Sequence, residues 1–135
     1  MKKVFIDTNV LIDFLGERET FYQPAALIAS RADRKEIELM VSSLSYATAS
    51  YILSRYNPVG IVIDKMRKFA TLCTITSIGA DTVTKALYSP FKDFEDALQF
   101  NSALEAGAEI IITRNKKDFT QSSLPVLTPT EYLDT

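Results

Sequence analysis

The stretch Val4-Phe5-Ile6-Asp7-Thr8-Asn9-Val10-Leu11-Ile12 decides the fold. An apolar run stops at a carboxylate, two small polar residues follow, and apolar character resumes at once. A buried strand that delivers an acid to a sheet edge and turns into a helix has this pattern. Ligands of open α/β sheets bind beyond the carboxyl ends of the strands. Asp7 therefore stands where chemistry is expected. Capping alone would explain a small polar residue there, but it does not require a carboxylate at the end of a buried strand.

Working outward, strands are expected near 3–7, 38–41, 73–75, 109–113 and 125–127. Helices are expected near 9–15 and 22–34, and again after Ser42-Ser43, where Leu44, Ala47, Tyr51 and Ile52 recur at helical spacing. Further helices follow from Asn57-Pro58 to about 71, over about 79–88 and over 94–106, the last stopped by Gly107. Pro129-Thr130-Glu131 opens a final helical turn. Alternation of this kind predicts a three-layer α/β/α fold with a central, mostly parallel sheet of about four or five strands. The strands are near-continuous apolar runs, as a sheet covered on both faces requires. No repeat, linker or low-complexity segment interrupts residues 1–135, so a single domain is expected.

Hydrophobic residues make up 47% and charged residues 24%, the composition of an ordinary globular domain. No apolar run is long enough for a bilayer span. No secretory leader is expected either, because Asp7 falls inside what would be its apolar region. Cys73 is the one cysteine, in the apolar run Leu72-Cys73-Thr74-Ile75, and is expected as a buried small hydrophobe. These features fit a reducing cytoplasm. The net charge of −2 lacks the global basic footprint of a nucleic-acid binder, although acids kept for cations would produce the same balance.

Histidine is absent. That removes imidazole bases and the Ser-His-Asp and Cys-His constellations, and with Cys73 as the one thiol it leaves no donor set for a structural zinc site. Any metal must be held by oxygens, which points to Mg²⁺ or Mn²⁺.

Three segments bring polar groups to strand ends or helix starts: Asp7-Thr8-Asn9, Asp93-Phe94-Glu95-Asp96, and Thr113-Arg114-Asn115-Lys116-Lys117-Asp118. All three can share one edge of a parallel sheet. Asp93 and Glu95 have a plain alternative role, since acids in a first turn complement the helix dipole. Asp96 precedes the apolar Ala97-Leu98 and faces inward. Asp118 has a loop or capping alternative. Converging carboxylates repel one another and persist when a divalent cation neutralises them. Such ions activate water and stabilise displacement at phosphorus, so phosphodiester hydrolysis is the leading chemistry.

On these residues the chain resembles the PIN domain, the ribonuclease fold of VapC-type toxins and RNA-processing nucleases. The resemblance rests on Phe5-Ile6-Asp7-Thr8-Asn9-Val10-Leu11, on Asp93-Phe94-Glu95-Asp96-Ala97-Leu98-Gln99, and on Ala106-Gly107-Ala108-Glu109-Ile110-Ile111-Ile112-Thr113-Arg114-Asn115. Asp118-Phe119 and Val126-Leu127-Thr128-Pro129 complete it, so it spans nearly the whole chain. It implies metal-dependent cleavage of single-stranded RNA by a small set of acids, with an antitoxin protein as partner and a homodimer formed through the early helices. Asp7 matches the first acid and Asp96 the acid opening the late helix. A glutamate common after the second strand is replaced by Thr48, in Ser42-Ser43-Leu44-Ser45-Tyr46-Ala47-Thr48, and an aspartate common after Thr113-Arg114 is replaced by Asn115. Asp118, Asp93 or Glu95 can substitute nearby. Fewer charges favour one cation over two.

Arg114, Lys116 and Lys117 flank the edge as candidate phosphate contacts, and Lys65, Arg67 and Lys68 form a second basic cluster. Phe14, Phe21, Tyr22, Tyr46 and Tyr51 are expected in the core or a subunit contact rather than as base-stacking platforms. The competing functional class is a catalytically weak or inactive PIN-fold module that binds RNA or a partner. A haloacid-dehalogenase-like phosphatase would need an acid at Asn9. A receiver domain would need one after the middle strand, where Thr76-Ser77 stand.

Overall fold

The computed structural model describes residues 1–135. Strands β1 (Lys2–Ile6), β2 (Ile37–Ser42), β3 (Thr74–Thr76), β4 (Ile110–Ile112) and β5 (Val126–Leu127) form one sheet in the order β3-β2-β1-β4-β5. Every neighbouring pair is parallel. Helices α1 (Thr8–Leu15), α2 (Tyr22–Asp33), α3 (Ser43–Leu53), α4 (Val59–Ala70), α5 (Ala80–Leu87), α6 (Phe94–Glu105) and α7 (Pro129–Leu133) connect and cover it. A 3-10 turn spans Lys116–Phe119. The expected fold class is present, and the sheet is parallel throughout.

Strand periodicity divides the core between the two faces. Val4 and Ile6, Leu39 and Val41, and Ile110 and Ile112 join the larger cluster, together with Val10, Leu11, Ile28, Phe69 and Tyr132 from the helices. Phe5, Met40 and Ile111 point the other way, against Ala103 and Phe119. Full burial of Phe5 and Ile111 between these layers contributes about 2 kcal/mol each. Gly107 ends α6 with φ +81°, the left-handed position its sequence context predicts.

Cys73 departs from the sequence reading, and two of the aromatics lie outside the core. Cys73 is only half-buried, because β3 is an edge strand whose Thr74 and Ile75 face solvent. The Cys73 thiol sits 3.5 Å from the Tyr46 hydroxyl, and burial raises its pKa. Phe14 packs between Tyr22 and Phe69, as expected of core aromatics. Phe21 and Tyr51 instead lie on the surface, each beneath an arginine: Arg114 is 4.0 Å from the Phe21 ring centre and Arg55 is 4.5 Å from that of Tyr51.

The register positions the site. Ile6 pairs with Ile112, so Asp7 and Thr113 emerge side by side. Phe5 pairs with Met40, so continuing that ladder brings Ser42 to the other flank of Asp7. The order in which the chain adds strands reverses at β1, which has β2 on one side and β4 on the other. The crevice at such a switch point is the usual ligand site.

Candidate active site

Asp7 is at once a helix cap and the centre of a buried polar network. Its backbone is extended (φ −74°, ψ 164°), and its Oδ1 accepts the Thr8 N–H at 2.8 Å, capping α1. The same oxygen accepts from Gln99 Nε2 at 3.1 Å. Oδ2 accepts from the Thr113 hydroxyl at 2.9 Å and, more weakly, from Asn9 Nδ2 at 3.5 Å. Thr113 Oγ1 also accepts from Asn9 Nδ2 and from the Asn115 N–H, which fills its capacity. Thr8, Asn9 and Thr113 thus hold the Asp7 carboxylate in one orientation.

Gln99, which sequence reasoning left without a role, is the hub of this network. It is 2% exposed, one helical turn beyond Asp96 on α6. Its Nε2 donates to Asp7, to Thr8 Oγ1 at 3.1 Å and to Ser45 Oγ at 2.7 Å, and its Oε1 accepts from Ser42. One amide therefore ties α6 to the ends of β1 and β2. The signal in the sequence was a lone amide within Ala97-Leu98-Gln99-Phe100, since a polar group on a buried face must find partners.

Above the network opens a cleft of about 300 Å³. Asp7, Thr8, Asn9, Glu95, Asp96, Asn115 and Asp118 all line it, so segments distant in sequence meet as the topology predicts. Asp93 instead caps α6, accepting the Asp96 N–H at 3.1 Å, and lines an adjoining groove with Lys92, Asp96, Lys117 and Asp118. Thr48 is half-buried on α3 and does not line the cleft itself. Leu44 and Ile52, one turn to either side of it, do, so position 48 is on the cleft side of the helix.

Two of the three basic candidates are committed elsewhere. Arg114 grips Asp13 with Nε at 2.6 Å and Nη2 at 3.3 Å. Lys116 pairs with Glu131, the acid of the α7 capping box, at 3.1 Å. Of the three, Lys117 stands at the acidic groove. The second basic cluster is a solvated helix face, with Lys65 on Glu17 and Lys68 on Asp64.

The electrostatics of the cleft centre on Asp96. Burial, and after it the negative charges of Asp93, Asp7, Asp118 and Glu95, push its carboxyl up to about 7. A raised folded-state pKa favours folding fully below the ordinary aspartate value near 4, and that contribution is lost as pH rises through about 7. Asp96→Asn, uncharged throughout, is therefore expected to melt higher than the parent in EDTA at pH 8 and equally at pH 4. Discounted for solvent screening, the gain is about 1 kcal/mol, or roughly 4 °C. An equal shift at both pH values would contradict the electrostatic cause.

The donor set suits a hard cation: oxygens only, with excess negative charge. No three acidic, histidine or cysteine side chains stand close enough to hold a metal by themselves. Mg²⁺ commonly binds through one or two carboxylates and keeps several waters, so Asp7 and Asp96 fit that mode.

Comparison with known proteins agrees with this architecture. A family model of the PIN domain matches residues 3–117. Ribonuclease VapC1 of Aquifex aeolicus is 28% identical, over 98% of this chain and 94% of that protein. Among solved structures, a toxin-antitoxin complex from Klebsiella pneumoniae superposes with a TM-score of 0.68 at 24% identity, covering 93% of this chain and 97% of that one. VapBC2 from Rickettsia felis, bound to a DNA fragment from its promoter, gives 0.67 at 18% identity, covering 93% and 96%. A family match over most of the chain, on a parallel sheet with its acids gathered at the carboxyl edge, makes this chain a member of the PIN-domain family.

Proposed function

We propose that this protein is a metal-dependent endoribonuclease that cleaves single-stranded RNA, and that it acts as the toxin of a toxin–antitoxin pair. The observation that carries the reading is the convergence of Asp7, Glu95, Asp96 and Asp118 on one open cleft. The likeness to Ribonuclease VapC1 supports it. Asp7 and Asp96 would hold Mg²⁺ or Mn²⁺, and Asp118 lines the same cleft without completing a three-carboxylate cluster. A bound cation of this kind activates water and stabilises charge at the phosphodiester.

The chain's own residues supply orientation. Thr8, Asn9, Thr113 and Gln99 fix the Asp7 carboxylate, so little reorganisation accompanies substrate binding. Asn115 offers a neutral amide to the cleft, while Lys117 and Lys92 flank the adjoining groove and hold backbone phosphates. The partners are RNA and an antitoxin protein. Tyr51, Tyr56, Val59 and Ile61, exposed on and between α3 and α4, support a homodimer.

Thr48 favours the second reading, a binding module with weak catalysis, because it leaves the cleft side of α3 without an acid. Incubating labelled single-stranded RNA with the purified protein separates the two. Cleavage with Mn²⁺, absent in EDTA and in Asp96→Asn, is the result expected of the nuclease. RNA retention without cleavage would favour the module.

A further inference from the structure

Two arginines converge on Asp13, a carboxylate only 1% exposed in α1, and they are not equivalent. Arg114 engages both oxygens and stands over the Phe21 ring. Arg18 Nη1 stands 3.8 Å from Asp13 Oδ1, beyond hydrogen-bonding distance. Asp13 is therefore neutralised by Arg114, and the Arg18 guanidinium keeps its charge without a hydrogen-bonded carboxylate. The Arg18 side chain is 44% exposed, and it is the one cationic residue lining the cleft of Asp7, Asp96 and Asp118.

The loop that carries it is held in place. The Arg18 N–H donates to the Asp13 carbonyl at 3.0 Å, and its own carbonyl accepts from Phe21 and Tyr22 at the start of α2. Glu17 and Thr20, close on either side, have φ +50° and +74°. Left-handed backbone at a β-branched threonine is a true outlier, and strain of about 1–3 kcal/mol per residue persists only where the surroundings impose it. Those surroundings are present. Lys65 of α4 binds the Leu15 carbonyl at 2.9 Å and Glu17 at 3.0 Å, and a Cβ on Gly16 would meet Ile12 and Leu53 at 2.9 Å.

We infer that Arg18 is the residue that receives the substrate's phosphodiester in this cleft. The inference rests on the ribonuclease reading and gives the substrate contact to a residue outside the motifs. A cleft walled by carboxylates repels a polyanion. A guanidinium on its wall offers paired N–H groups to the non-bridging phosphate oxygens and sets the backbone against Asp7 and Asp96.

Binding of a short fluorescein-labelled polyuridylate, followed by anisotropy in Ca²⁺ between about 50 and 200 mM salt, tests this. Arg18→Ala is expected to weaken binding about 10-fold or more and to reduce the salt slope by about 0.7, the value of one phosphate contact on a single strand. Arg18→Lys is expected to keep the slope and recover only part of the affinity. Unchanged affinity and slope in a folded Arg18→Ala protein, beside a parent that binds, would overturn the assignment while leaving the ribonuclease reading intact. A parent that binds no RNA would remove that reading and this inference together.

Discussion

Asp7→Asn is expected to abolish cleavage of RNA, with a loss of at least about 100-fold, typical of removing a preorganised charge from a transition state. The physical reason is twofold. The charge that would hold the cation disappears, and the network around it has no place for an amide. Asp7 accepts from Thr8, Gln99, Thr113 and Asn9, all as donors. Asparagine would present one oxygen and one NH₂ to these four groups. If the NH₂ faced Thr113, that hydroxyl would need to accept a third proton, because Asn9 and the Asn115 N–H already donate to it. A buried mismatch of this kind costs about 1–3 kcal/mol, so the variant should also unfold at lower denaturant concentration. Cleavage and urea unfolding, measured on the same preparation, check both effects. Full activity with lowered stability would reduce Asp7 to a helix cap.

The second large effect concerns stability alone. Asp13→Ala is expected to destabilise the fold by about 3 kcal/mol, near the lower end for a broken buried ion pair because Arg114 retains some solvent. For a chain of this size that is a large share of the whole. The variant strands the Arg114 guanidinium against Phe21 and the end of β4. Adding Arg114→Ala removes the orphaned charge, so the double variant should be more stable than Asp13→Ala alone. Additive losses in urea unfolding would contradict the pairing.

Much of the fold was legible because its signals are local. Apolar runs at β1 and β4, Gly107 after α6 and the Thr128–Glu131 capping box depend on residues within a few positions of one another. The meeting of Asp7, Asp96 and Asp118 on one cleft followed from topology, since strand ends of a parallel sheet share an edge. The partners within that edge were not legible. Arg114 and Lys116 read as phosphate contacts by composition, yet Asp13 and Glu131 neutralise them in three dimensions. Asp13 was given no role from sequence, although its place in Leu11-Ile12-Asp13-Phe14-Leu15 was a signal, since a carboxylate on a buried face requires a cation. Which cation it takes depends on the approach of β4 to α1, which no local pattern encodes. Gln99 escaped for the same reason. Cys73 was misplaced, and Phe21 was not separated from the core aromatics, because hydrophobicity does not distinguish an edge strand from a central one, nor an arginine-covered ring from a core ring.

The proposed nuclease requires Asp7 and Asp96 to bind a divalent cation. Calorimetric titration of Mn²⁺ into the parent protein, Asp7→Asn and Asp96→Asn tests it most directly and needs no knowledge of the RNA target. Saturable binding by the parent, lost in both variants while circular dichroism shows them folded, is the predicted result. Absence of binding up to millimolar Mn²⁺, or equal binding by all three proteins, would contradict it.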